Sequence, residues 1–390
     1  MRASPWALSL LLGIAGCGNK TEAPAAASAS ASAPAPPPPA RGLGSAGTDP
    51  TQTAFARKVL EKCSGTWKPE SGFDSACAEL KVFVGQRPQR GTLDATFIAW
   101  LEDPDPKVRT LGARGLAAFG DPYRSDRALA ERVVAVAENE KEPSLTGIIG
   151  FLAGEILVDQ TGLLDRIRGL LKNADGSDDL KIGVISILLQ ANRDSAPVFD
   201  LTREVSNEAS TGTVRSTALS AFSAVYDLRP DDVCKLWVQN RENADEIIAA
   251  GAAARLTTGA TWVGYSGLVW SSTSTYTVTE NRCAAEVEPT LNVIEARAKA
   301  GKIAHSNWIF ALRGVLRDDL KKTPPAQKKR ALALAKLIAE TRTNNGGARG
   351  TALRLIIEKH PDAKAIAKGL SADPDIFVRN VAMEINSVKP

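Results

Sequence analysis

The chain has 390 residues, 44% of them apolar, 5% aromatic and 24% charged, with a formal net charge of +4. That apolar fraction suffices for a core and excludes a wholly disordered chain. The only long uncharged apolar stretch sits at the extreme N-terminus, which excludes a multispanning membrane protein, and the length suits a few ordinary domains or one elongated array.

Arg2 supplies a short positive region, Trp6 to Ile14 form an apolar run, and small residues follow at Ala15, Gly16 and Cys17. About nine apolar-rich residues are too few to cross a bilayer core of ~30 Å, so the segment reads as an export signal. Ile14-Ala15-Gly16-Cys17 resembles the lipobox of bacterial lipoproteins. The resemblance implies a signal peptide over residues 1–16, cleaved before a lipidated Cys17. It also implies a mature protein held at the bacterial cell envelope by its lipid alone, at the outer membrane and facing the periplasm or the cell surface. The alternative is an ordinary secretory signal with an incidental cysteine.

Residues 17–50 then read as a disordered tether, with APAAASASASAPAPPPPA over Ala23–Ala40. Such composition buries no core. As a flexible coil it would reach roughly 30 Å, and as polyproline II roughly 100 Å.

Four cysteines remain after Cys17: Cys63, Cys77, Cys234 and Cys283. An even number in an exported chain suggests two disulfides, for which sequence allows three pairings. The favoured one joins Cys63 to Cys77 across a loop containing Gly, Pro and Ser, and Cys234 to Cys283 at the base of an unusual segment. No Cys-x-x-Cys occurs, and His305 and His360 are not spaced as partner ligands, so no metal site is expected.

From residue 51 to 390 apolar residues recur mostly at three- and four-residue spacing, broken every 12 to 18 residues by Gly, Pro, Asp or Asn. This predicts an all-α chain of short helices. LEDPDPKVRTLGARGL from Leu101 aligns with LSADPDIFVRNVAMEI from Leu370, placing Arg109 over Arg379 and Gly112 over Ala382. Val214-Arg215 with Ala218 and Ala348-Arg349 with Ala352 fit the same frame, and Thr146 and Lys181 occupy it loosely. A period of about 35 residues with two helices per unit reads as an α-solenoid. The Asp-Pro-Asp turns followed by Val-Arg resemble HEAT-type repeats. That resemblance implies a HEAT-like α-α superhelix of about eight helix pairs, in which the turn aspartate caps a helix and the arginine forms a ladder between repeats. The carboxylate pairs Asp103/Asp105, Asp178/Asp179, Asp231/Asp232, Asp318/Asp319 and Asp373/Asp375 mostly fall at predicted helix starts. There capping explains them better than acid–base or metal chemistry.

Residues 259–282 break the pattern. They are rich in Trp, Tyr, Val, Thr, Ser and Gly with partial alternation, which predicts a β-hairpin-like insert near 260–280. Trp262, Tyr265, Trp270 and Tyr276 concentrate aromatics there, as candidates for gripping a glycan ring or anchoring a protein. Packing of the insert back onto the helices is the plainer alternative.

Charge is uneven as well. Residues 51–283 carry 26 Lys and Arg against 31 Asp and Glu, whereas residues 284–390 carry 19 against 11. The basic end includes Lys321, Lys322, Lys328, Lys329 and Arg330, a candidate surface for anions or simply a solvated helix face.

No nucleophile elbow, zinc-protease helix, phosphate loop or dinucleotide fingerprint is present, and both histidines fit capping or surface positions. No catalytic residue, cofactor or nucleic-acid partner is therefore expected. The sequence reads as a non-catalytic scaffold for envelope proteins, with glycan or envelope-polymer binding through the aromatic insert as the rival.

Overall fold

A computed structural model of the chain describes residues 93–258 and 281–387, apart from 121, 318–322 and 360–361, with six helical positions between 51 and 62 and four two-residue strands. The chain divides into two units, Met1–Pro88 and Gln89–Pro390. In the first, Arg57 and Glu61 pair one helical turn apart at 2.8 Å. Strand β1 (Trp67–Lys68) pairs antiparallel with β2 (Gly72–Phe73), Trp67 opposite Phe73. The expected signal, Cys17, the tether, Cys63 and Cys77 lie outside the described residues.

The second unit is helical almost throughout. Helices α1 (Asp94–Leu101) and α2 (Pro106–Phe119) form a packed pair, as do α3 (Arg127–Asn139) and α4 (Pro143–Gly154). A single turn, α5 (Val158–Thr161), leads to the pair α6 (Leu164–Lys172) and α7 (Asp178–Ala191). Next come α8 (Ala196–Glu208) with α9 (Gly212–Ala221), and α10 (Pro230–Asn240) with α11 (Glu246–Thr258). After residue 281 the pairs are α12 (Val287–Lys299) with α13 (Asn307–Val315), α14 (Pro325–Glu340) with α15 (Gly346–Lys359), and α16 (Ala363–Leu370) with α17 (Ile376–Ser387).

The second helices of successive pairs pack on one another in order, from α2 on α4 through to α15 on α17. This stacking is consistent with an α-solenoid. The core runs along the stack, with Trp237, Trp308, Tyr123 and Phe97 fully buried.

Turn chemistry starts these helices. Asp105 accepts the N–H of Lys107 at 2.9 Å with Pro106 as the first helical residue, and Asp375 accepts those of Phe377 and Val378 at 2.9 and 3.1 Å. Each satisfies an orphan donor of the first turn. Asp178, Asp179, Asp231 and Asp232 lie in first turns, where carboxylates complement the helix dipole, while 318–319 fall outside the described residues.

The tightest seam joins α4 to α7. A Cβ on Gly150 would run into the carbonyl of Leu180, and one on Gly183 into that of Gly147. Glycine lets the two backbones meet there.

The hairpin expected near 260–280 is not seen as such. Strand β3 (Trp262–Val263) pairs antiparallel with β4 (Thr275–Tyr276) over two residues each, and the segment between them lies outside the described residues.

Candidate functional site

The aromatic segment follows α11 in the chain, and the described residues resume at Asn281, which is held by several hydrogen bonds. Tyr226, 2% exposed and stacked on Trp237 at 5.5 Å, directs its hydroxyl there. The hydroxyl accepts the N–H groups of Arg282 at 2.7 Å and Cys283 at 3.2 Å, and donates to Asn281 Oδ1 at 3.2 Å. Asn281 Nδ2 donates to the carbonyl of Leu256 at 2.8 Å, tying the returning strand to the last turn of α11. Cys283 is bridged to Cys234 of α10 across 49 residues, with Cα atoms 5.6 Å apart. In the chain-entropy model such a closure contributes about 4 kcal/mol. Within the insert, β3 and β4 set Trp262 opposite Tyr276. Tyr265 and Trp270 lie outside the described residues.

Of the expected basic surface, the structure describes Lys328, Lys329 and Arg330. Arg330 reaches from α14 to α12, where it contacts Glu288 and donates to Glu295 and Asn292, each at 2.6 Å. Its charge is paired with the two carboxylates at a partly exposed site. Lys329 is exposed and Lys328 half-buried, while Lys321 and Lys322 lie outside the described residues.

A repeated position runs through the second helices. Arg109, Thr146, Lys181, Arg215, Ala249, Phe310, Arg349 and Arg379 each donate their backbone N–H to the residue that opens their helix, four positions earlier. From this position Arg109 reaches Glu140, two residues before the opening residue of α4, with Nε and Nη2 donating at 2.8 and 3.0 Å. Arg349 reaches Asp373, two residues before the opening residue of α17, at 3.0 and 2.5 Å. Both are bidentate forks between consecutive pairs. The Arg349 guanidinium holds the Asp373 carboxyl below the usual carboxylate range. Burial works to raise the Glu140 carboxyl, but Arg109 and the N–H of Glu142 outweigh it and hold it low. The Thr146 hydroxyl donates to the Pro143 carbonyl at 3.2 Å and accepts from the Ser177 hydroxyl at 3.5 Å, and Arg215 Nε donates to the carbonyl of Ser206 within its own pair.

Two concavities line this ladder. The larger, about 670 Å³, is open and walled by Arg109, Glu140, Arg132 and Glu102. Its cations and anions pair with each other, Arg132 with Glu102 at 2.6 Å. The smaller, about 310 Å³, is lined by Lys181, Lys172, Glu204 and Ala209.

Other polar clusters serve helix ends. One oxygen of Glu246 accepts the N–H groups of Ala304 and His305 and the indole N–H of Trp308, at 2.6, 3.2 and 2.9 Å. His305 Nδ1 accepts the N–H of Asn307 at 3.2 Å, a capping role, and His360 lies outside the described residues. Tyr123 donates to Glu155 at 2.7 Å, and burial, reinforced by the Glu155 charge, pushes its hydroxyl far up, so it stays protonated. Among the described residues, no three His, Cys, Asp or Glu converge as metal ligands.

Tyr226, Asn281 and Glu246 are functional supports that sequence reasoning missed. Each partners residues 25 to 62 positions away, and the only local signal was Tyr226 shortly before the break at Pro230. Compared with models of known protein families and with curated proteins, the chain matches none.

Proposed function

We propose that the chain is a lipid-anchored HEAT-like α-solenoid of about eight helix pairs, acting as a non-catalytic protein-interaction scaffold of the bacterial cell envelope. The observation that carries this reading is the stack of helix pairs interrupted once, between α11 and α12, by a segment fastened at its return through Tyr226, Asn281 and the Cys234–Cys283 bridge. Stacked helix pairs offer extended surface for a protein partner, and insertions in such arrays map to one face. The lipobox-like Ile14-Ala15-Gly16-Cys17 and the Ala/Ser/Pro tether support anchoring at the membrane with freedom to reach from it. The recurrence of the ladder position supports the HEAT-like reading.

The test is crosslinking in intact cells followed by co-purification, comparing the wild type with a variant lacking residues 261–279. A specific protein captured by the wild type is the expected result. Its loss from the variant assigns contact to the insert, and its retention assigns contact to the helices. Glycan binding is the second reading, favoured by the register pairing of Trp262 with Tyr276. Co-purifying polysaccharide with no protein partner, lost on Trp262→Ala, would replace the scaffold reading by that one.

A further inference from the structure

Lys181 stands at the ladder position of α7 and is 3% exposed. A lysine whose stem is buried ordinarily delivers its ammonium to a counter-charge, to hydrogen-bond acceptors or to solvent. This one has neither of the first two: among the described residues its side chain makes no hydrogen bond and no ion pair, and its Nζ is not sealed from solvent. The ladder geometry says where its partner would stand. Arg109 and Arg349 each find a carboxylate two residues before the opening residue of the next second helix. For Lys181 the next such helix is α9, opened by Thr211, and the residue two before it is Ala209. No acid stands there, nor at Asn243, the corresponding place for Arg215, which instead donates to the Ser206 carbonyl of its own pair.

Space replaces the missing side chain. Lys181 and Ala209 both line the pocket of about 310 Å³, at the lower end of small-molecule sites. Lys172 in its wall is already paired with Glu204, so that pair leaves the Lys181 charge uncompensated. Glu208, also in the wall, is exposed and forms no ion pair with Lys181. Leu171 and Val205 add apolar surface to the wall beside these polar groups.

We propose that this pocket binds a carboxylate supplied from outside the chain, which takes beside Lys181 the place that Glu140 takes beside Arg109 and Asp373 beside Arg349. The same group is offered by a free small dicarboxylate and by a Glu or Asp side chain of a protein. The inference stands apart from the scaffold reading, because it rests on the ladder register and the pocket alone.

Isothermal titration of the full chain tests it with four probes: glutarate, its neutral analogue glutaramide, and blocked Ala-Glu-Ala and Ala-Gln-Ala tripeptides. Each acid should bind at least about tenfold tighter than its amide. Tighter binding of glutarate identifies a free ligand, and tighter binding of the glutamate peptide a protein side chain. Lys181→Met should abolish the preference for the acid. Ala209→Asp should restore the internal partner, raise the thermal midpoint and also abolish carboxylate binding, while Ala209→Asn should do neither. Should Lys181→Met fail to fold, Ala209→Asp decides alone. Equal binding of acids and amides, absence of binding by all four probes, or an Ala209→Asp variant with unchanged midpoint and unchanged carboxylate affinity would overturn the proposal.

Discussion

At the C-terminal end of the stack, Arg349 and Asp373 join successive helix pairs through a two-pronged ion pair in which both residues are almost wholly buried. In the middle, α4 and α7 join through glycines that bring one backbone against the other, and the ladder position there holds Thr146 and Lys181. The two seams solve one problem, the close stacking of second helices, with opposite physics. The charged seam is directional and fixes register, but it depends on two groups remaining ionised. The glycine seam gains dispersion over a long contact and depends on nothing being added. A stack that uses both does not respond uniformly to mutation or to acid.

The largest expected effect comes from breaking the charged seam on one side. Arg349→Met strands Asp373 inside the stack and should cost about 3–5 kcal/mol. Amide hydrogen exchange should locate the loss, with α15 to α17 opening first and α4 and α7 keeping their protection. Uniform loss across the stack would show that the seam is not a local unit.

Adding one methyl group attacks the other seam. Gly150→Ala pushes a Cβ into the Leu180 carbonyl and should cost about 1–3 kcal/mol, with the loss of protection confined to α4, α7 and their neighbours. An alanine accepted at no cost would mean that the backbones separate easily.

Acid separates the two without mutation. Because Arg349 depresses the Asp373 carboxyl in the folded chain, that pair contributes its full stability above the unfolded carboxylate value near 3.9. The contribution is lost as pH falls through the lower folded value. Lowering the pH from 6 to below 3 should therefore weaken α15–α17 more than α4–α7, and Arg349→Met should lose that difference.

The smallest effect calibrates the rest. Arg132 and Glu102 also link two pairs, yet each is about 40% exposed, and Arg132→Met should stay within about 1 kcal/mol.

Much of this stack was legible in the chain. The Asp-Pro-Asp turns announced the starts of α2 and α17, and the spacing of Arg109, Arg215, Arg349 and Arg379 put each at the same position of its helix, from which Arg109 and Arg349 reach a carboxylate before the next second helix while Arg215 and Arg379 bond nearer carbonyls. The pairing of Cys234 with Cys283 also agrees with the structure. What stayed hidden depends on distance in sequence. Glycine is a weak helix former, so nothing local assigns Gly150 and Gly183 a role, and only stacking turns them into a contact surface. Arg330 read as part of a basic run because its carboxylate partners lie 35 and 42 residues earlier. Nothing local marked Tyr226, since the backbone it serves follows 56 positions later. The vacancy opposite Lys181 needed the register of the neighbouring pairs before Ala209 became informative.

The Cys234–Cys283 bridge also gives the molecule a mechanical signature. If the chain is pulled by its two ends, the helix pairs on either side of the bridge unravel freely, but the segment between the two cysteines, 49 positions apart, bears no load and adds no length. Fully stretched, the oxidised protein should be shorter than the reduced one by roughly 170 Å, at about 3.5 Å per residue. Single-molecule extension before and after reductant would read that difference directly. The aromatic segment, sitting inside the closed loop, would keep both its ends together under a tension that had already opened its neighbours.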